Sequence, residues 1–345
     1  MHLADTIRES DYDAAMVAPS KPPLDVLWVH DTARLTGGCE HYMTKTAKLL
    51  KSRGIRSTLL YGESGSGPLD MLAEFDRAFP IVDLPRQLAA IAPDVIYAHR
   101  VSGCETIRTL GDSGIATLRF RHDHKLFCPR EHKYTVLGKT TCTKTIGLGC
   151  YACLGVINRS EQLPGIRLST VRKLVHEQRE HHRLDGFVVG SQYMAQHLAD
   201  HGFPVSKIHV LPLFADPPTD FQVAARDRNR LLFVGQIVRG KGLDLLIHAM
   251  KRVDEKISLT VVGTGAQEAE SKHLCERLGL SSRVEFLGKM DQTHLADLYV
   301  RAGGLVVPSR SPETFGQVGI EAMSYGLPAI AANVGGLSQW PVSYT

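Results

Sequence analysis

The sequence predicts an α/β protein of two facing, doubly wound, Rossmann-like domains, and three observations carry that expectation. From Leu24 onward, short apolar runs alternate with amphipathic stretches, the pattern of βαβ units over a parallel sheet. Between Phe214 and Asn229 the alternation lapses, paired prolines appear, and the pattern then starts afresh. A length of 345 residues suits about two domains. The expected organisation is a polar tail over 1–23, an N-terminal domain over 24–213, a linker over 214–229 and a C-terminal domain over 230–345.

In the first half, residues 25–30 (DVLWVH) read as the opening strand, followed by a Gly37-Gly38 turn. The helix after it repeats Cys39, Met43, Ala47 and Leu50 on one face, and Gly54 closes it. Further strands are expected at 57–61, 94–98, 116–121, 186–190 and 207–211. In the second half, strands are expected at 231–235, 259–263, 284–288, 305–308 and 329–332. Helices are expected with Leu243, Leu246, Ile247 and Met250 on one face, then over 292–301 and 315–325. The sequence stops after Gly335-Gly336-Leu337 and the tail SQWPVSYT with no closing helix, so the second sheet is expected to be incomplete.

Composition narrows the function classes. The net charge is only +4, without a run of five like charges, which gives no reason to expect a nucleic-acid partner. Apolar runs such as 231–234 and 304–307 fall far short of the roughly 18 to 20 residues that span a bilayer. The polar start lacks the apolar core of a secretory signal, so the expected location is cytoplasmic. Seven cysteines in such a chain argue against a disulfide framework.

The most informative segment is VPSRSPETFGQVGIEAMSYGLPAIAANVGG, which begins at Val307. A strand ends at Pro308, a polar loop carries Glu313, and Thr314 with Gln317 has the spacing of a capping box. The unpaired amides of Phe315, Gly316, Gln317 and Val318, with the positive end of the helix dipole, suit a diphosphate. Gly316 and Gly319 are expected to let the ligand approach the backbone. Glu313 lies outside the helix and Glu321 nearly two turns inside it, so the two acids can address opposite ends of one nucleotide sugar. In VGQIVRGKG, a strand end delivers Lys241, a point charge suited to a leaving diphosphate.

The motif PSxxExFGxxxxEAMxxGxP, with seven residues between Glu313 and Glu321, resembles the signature of glycosyltransferase family four, the retaining nucleotide-sugar enzymes of GT-B fold. The resemblance covers about 24–337. It implies that Glu313 contacts the donor sugar and Glu321 the ribose. Gly37 and Gly38 resemble the family's glycine pair near the donor phosphate, and His122 falls where the family often has a histidine at the donor sugar. Gln236 stands where the family usually has arginine, which shifts the phosphate charge to Lys241, with Arg239 as a substitute. Ser191 resembles the serine that closes its strand, and equally suits a helix N-cap. His99 and His124 are weaker candidates, Asp123 either orients the His122 ring or lies idle, and Glu40 and His41 read as capping and surface residues. The implied donor is a UDP- or GDP-sugar, with no metal needed for chemistry. The implied acceptor is a glycan or lipid-linked hydroxyl, in cell-envelope polysaccharide or glycolipid synthesis, and the mild positive balance allows contact with the inner face of a membrane. The alternative is a truncated, inactive nucleotide binder.

Cys128, Cys142, Cys150 and Cys153 lie in a Gly-, Thr- and Lys-rich insertion over about 124–165. The last pair has zinc-knuckle spacing, so the four form a candidate structural zinc clip, with free thiols or a redox pair as alternatives.

Overall fold

In β1 (Asp25–His30), Val26, Leu27, Trp28 and Val29 are buried in succession, as a strand covered on both faces requires. The computed structural model describes residues 23–35, 37–62, 67–135, 140–159, 166–215 and 225–340. The tail before residue 23, the proline-bearing part of the expected linker at 216–224, parts of the cysteine-rich segment and the last five residues lie outside the described residues.

The first sheet contains β1, β2 (Arg56–Tyr61), β3 (Arg77–Pro80), β4 (Val95–Ala98) and β5 (Thr117–Phe120). A small antiparallel pair, β6 (Ile157–Arg159) with β7 (Ile166–Leu168), forms a separate two-stranded sheet, and β8 (Gly186–Val189) and β9 (Ile208–Val210) complete the large one. Its seven strands are parallel, in the order β3-β2-β1-β4-β5-β8-β9. The expected strands omit β3, which is four residues long, ends in proline and alternates exposed with half-buried positions, the marks of an edge strand.

The second sheet is formed by β10 (Asp227–Val234), β11 (Ser258–Val262), β12 (Val284–Gly288), β13 (Ala302–Val307) and β14 (Ala329–Ala331), ordered β12-β11-β10-β13-β14 and again parallel. Two strands, β10 and β13, begin three or four residues earlier than expected. The DRNR start of β10 is polar and largely exposed, so it carries no strand pattern. The Ala-Gly-Gly start of β13 looks like a turn, but a Cβ on Gly303 would stand 2.6 Å from the Arg228 carbonyl oxygen, so the close strand pairing demands glycine there.

The helices are α1 (Gly38–Ser52), α2 (Leu84–Ile91), α3 (Cys104–Gly111), the single turn α4 (Gly149–Ala152), α5 (Val171–His181) and α6 (Gln192–Asp200) in the first half. In the second are α7 (Leu243–Met250), α8 (Glu268–Leu278), α9 (Gln292–Arg301) and α10 (Gln317–Ser324). Met43 and Ala47 of α1 pack with Trp28, Leu59 and Met71, as the spacing of that helix predicts. Among the described residues no helix is long and apolar enough to cross a membrane.

In both sheets the chain winds outward in two directions from the centre, β1 beside β4 and β10 beside β13. Such switch points leave a crevice at the carboxyl ends of the strands, where the Gly37-Gly38 turn, His122, Lys241 and Glu313 all fall. Gly242 locks one of these ends. Its φ is +70°, and a Cβ there would lie 2.0 Å from the Pro308 carbonyl oxygen. Gly242→Ala is therefore expected to cost about 1 kcal/mol or more in urea denaturation, through both the left-handed backbone and the clash. An unchanged midpoint would show that the turn can relax away from β13.

Candidate functional site

The loop between β13 and α10 is gripped by the N-terminal domain. The Thr314 hydroxyl donates to the His122 carbonyl at 3.0 Å, and the Ser191 hydroxyl donates to the Thr314 carbonyl at 2.5 Å. His124 Nε2 lies 3.3 Å from the Pro312 carbonyl. Ser191 also caps α6 by accepting from the Met194 amide at 3.2 Å, so one hydroxyl serves the helix and the interdomain grip at once. Beside this grip a cleft of about 500 Å³ is lined by His122, Tyr134, Gln236, Lys241 and Glu313. Four residues singled out in the sequence, His122, Gln236, Lys241 and Glu313, thus meet on one cavity, and Arg239 borders it as well. Tyr134 and its neighbours bring the cysteine-rich insertion in as one wall, which no motif announces.

Glu313 Oε1 accepts from Lys241 Nζ at 2.6 Å and from the Ser309 hydroxyl at 2.6 Å. Burial alone would push this carboxyl up; the Lys241 charge and the two hydrogen bonds override it and hold the group below its ordinary range. The backbone of Glu313 is fixed too, because its carbonyl accepts from the Gly336 amide at 2.7 Å. The cleft therefore presents a half-buried, ionised carboxylate and an ammonium already aimed at each other, and an entering diphosphate would compete for the ammonium.

The start of α10 differs from the expected capping box. Thr314 is turned toward His122, and Gly316, with φ +83°, occupies the N-cap without a side-chain bond. The helix consequently begins at Gln317 rather than Phe315, and the Gly319 amide closes on the Gly316 carbonyl at 3.0 Å. Phe315 is buried, Val318 packs against the second-domain core, and the side-chain Nε2 of Gln317 is buried without a partner. Gly316 and Gly319 do not keep the backbone open as expected. A Cβ on Gly319 would stand 2.2 Å from the Trp340 ring, and one on Gly316 2.2 Å from Leu337, so both glycines make room for the segment that follows β14. Across the cleft, Gln317 Oε1 lies 3.1 Å from where a Gly38 Cβ would be, and Lys45 Nζ lies 4.0 Å from Glu321 Oε1. The start of α1, with Gly37 and Gly38, thus faces α10 directly.

His122 rests on a buried polar network. Its Nε2 is 2.8 Å from His99 Nδ1, and the two rings stack at 5.0 Å. Burial pulls His122 down to about 3 and His99 well below the ordinary histidine range, so both are neutral near pH 7. Asp123 turns elsewhere, accepting from the Lys125 amide at 3.1 Å and lying 3.5 Å from Arg121, so His99 is the ring's partner. Glu40 is not a surface residue: it is fully buried, 3.4 Å from His30 Nε2 and 3.3 Å from Arg100. Burial pushes its carboxyl up, but the His30 hydrogen bond and the Arg100 charge bring it to about 2. His124 is likewise buried in the interdomain grip, and burial lowers it to about 4.

Cys128, Cys142, Cys150 and Cys153 are free and half-buried. Burial raises the Cys150 thiol, and the other three add to the rise, so the four share one neighbourhood. No three of them lie within 4.8 Å of one another, whereas zinc–sulfur bonds of about 2.3 Å need closer sulfurs. As placed, they do not form the expected tetrahedral clip.

The fold is GT-B. The chain superposes on the lipopolysaccharide outer core galactosyltransferase WaaB with a TM-score of 0.64 and 15% identity, covering 93% of this chain and 84% of that one. It superposes on Anabaena Alr3699/HepE in complex with UDP and glucose with a TM-score of 0.65 and 17% identity, covering 93% and 83%. Within that fold, residues 218–340 match the family model "Glycosyl transferases group 1". Over 120 residues the chain is 44% identical to D-inositol 3-phosphate glycosyltransferase 2 of Catenulispora acidiphila, which is 31% of this chain and 28% of that protein. Over 184 residues it is 33% identical to D-inositol 3-phosphate glycosyltransferase of Mycolicibacterium smegmatis, 48% of this chain and 41% of that protein. The match thus spans less than half the length of these curated relatives.

The buried histidines set a pH dependence. His99, His122, His124, His181 and His197 are all held by burial below the ordinary histidine value of about 6.5. Between that value and the lowered ones, the unfolded chain binds protons that the folded chain refuses, so stability present above about pH 6.5 is lost as pH falls. Urea midpoints are expected to decline steadily from pH 7 to pH 5. A midpoint constant across that window would contradict neutral, buried imidazoles.

Proposed function

We propose that this protein is a retaining glycosyltransferase that moves a sugar from a UDP- or GDP-sugar to an acceptor hydroxyl. The observation that carries the proposal is the meeting of Lys241, Glu313 and His122 on one interdomain cleft, with the start of α10 facing Gly38 beside it. The glycosyl transferases group 1 match over residues 218–340, and the UDP and glucose named for the Anabaena neighbour, support the donor class.

In this reading the diphosphate lies between the Gly37-Gly38 turn and the α10 start, with Gln236 hydrogen-bonding a phosphate oxygen. Lys241 leaves its ion pair to neutralise the charge that grows on the departing phosphate, where a preorganised cation in a dry cleft acts most strongly. Glu313, freed on one side, holds donor-sugar hydroxyls, and Glu321 holds the ribose. Neutral His122, fixed by His99, offers a hydrogen bond to the sugar without competing as a base. Retention follows if the leaving phosphate oxygen takes the acceptor's proton on the face it departs from. The N-terminal domain seats the acceptor, and a cell-envelope glycan or lipid-linked alcohol fits a surface-docking enzyme.

Calorimetric titration with UDP, GDP and their sugars is expected to show binding for one base. Glu321→Ala should weaken it about tenfold, the loss of one good hydrogen bond to a charged group. Lys241→Ala should lower kcat by about 10² to 10³ with little change in donor KM, as for a group acting mainly in the transition state. Failure of every nucleotide to bind would overturn the proposal, and so would full turnover in Lys241→Ala.

A further inference from the structure

The N-terminal domain has a second cavity, of about 420 Å³, which shares His122 with the first. It opens between the carboxyl ends of β4 and β5 and the starts of α3 and α5, and Arg119, Arg121, Lys173 and His181 line it. Arg119 and Arg121 are two residues apart on one extended segment, so their side chains leave on the same face. Both are deeply buried, at 3% and 4% exposure.

Neither guanidinium is satisfied. Arg119 Nη2 donates to the Val101 carbonyl at 2.9 Å, while its Nε and Nη1 have no partner. Arg121 Nη2 lies 3.5 Å from Asp123, while its Nε has none. His181, 4% exposed, engages the Glu177 carbonyl through Nδ1 at 2.6 Å, so its unpartnered Nε2 is left as an acceptor for a hydroxyl. The other acids on the cavity are partly committed: Asp31 accepts from the Ser102 amide and hydroxyl at 2.9 and 2.6 Å, and Glu131 lies 3.6 Å from Lys125. Glu177 remains near Arg121 as partial compensation. Burying two adjacent guanidiniums with idle donors is costly unless an anion completes them, and their planar forks match phosphate oxygens. Burial and the neighbouring Arg121 charge already bring Arg119 down to about 9, the strain that a bound anion would relieve.

We propose that this cavity is an acceptor subsite for a phosphate group, held by Arg119 and Arg121 with Lys173 at the mouth. His122 borders both cavities, so a molecule anchored by its phosphate here can extend a hydroxyl toward the donor cleft. The acceptor role rests on the transferase reading above; the anion site itself rests on the arginines. A phosphate on a soluble sugar and one in a lipid headgroup share this chemistry.

The test titrates the full-length chain by calorimetry with inorganic phosphate, glucose 6-phosphate and glucose at matched ionic strength, and with UDP in parallel. Both phosphates are expected to bind saturably and glucose not to. Affinity should fall at least tenfold in Arg119→Gln/Arg121→Gln and severalfold in Lys173→Ala, whose exposed position spares the fold, while UDP binding persists in both. Vesicles of phosphatidylinositol in phosphatidylcholine, against phosphatidylcholine alone, separate the sources: arginine-dependent vesicle binding assigns a lipid headgroup, and glucose 6-phosphate binding without it assigns a soluble sugar phosphate. UDP binding without phosphate binding, or phosphate binding indifferent to Lys173→Ala, would overturn the anion site alone. Phosphate binding without any nucleotide binding would overturn the transferase reading and leave the anion site standing.

Discussion

The hydrogen bonds that hold residues 312–314 against the N-terminal domain are the constraint on which the site depends. Glu313 sits between Pro312, whose carbonyl meets His124, and Thr314, which bonds both His122 and Ser191. Its carboxylate is therefore positioned by one domain's sheet and the other domain's loops at once. Each such bond contributes only about 0.5 to 1.5 kcal/mol net. Together they can register two domains without welding them.

The charges inside this arrangement follow one rule. Where a buried or half-buried group has a counter-charge within reach, as Glu313 has Lys241 and Glu40 has Arg100 with His30, it stays ionised. Where burial outweighs the charges around it, as at His99 and His122, the group gives up its proton. Arg119 and Arg121 fit neither case, since guanidinium cannot readily lose its charge and no carboxylate reaches all their donors. That exception is what marks the second cavity.

Much of this was legible in the sequence because strand ends in doubly wound sheets collect functional side chains, and apolar runs such as DVLWVH locate those ends. The spacing of Glu313 and Glu321 located the α10 loop, and the apolar period of Met43 and Ala47 set the inward face of α1. What escaped depended on distant partners. Thr314 and Gln317 have the spacing of a cap, yet a carbonyl of the other domain draws the threonine away. Gly316 and Gly319 looked like ligand glycines, but Trp340, some twenty residues on, fills the space. Glu40 looked like a surface acid because its partners, His30 and Arg100, come from two other strand ends. The arginines at 119 and 121 belong to no motif, and only the packing of α3 and α5 around them makes their cavity.

The placement of Trp340 has a practical result. Of the chain's two tryptophans, Trp28 is sealed in the first sheet, stacked on His99 and bonded to Ser57 at 3.2 Å. Trp340 lies over Gly319 and donates its indole N–H to the Phe315 carbonyl at 2.6 Å, one residue before the α10 cap. The two indoles thus divide the molecule optically. A ligand that moves the α10 turn alters the second indole's hydrogen bond and with it the emission colour, so movement of that turn can be followed by intrinsic fluorescence without a label.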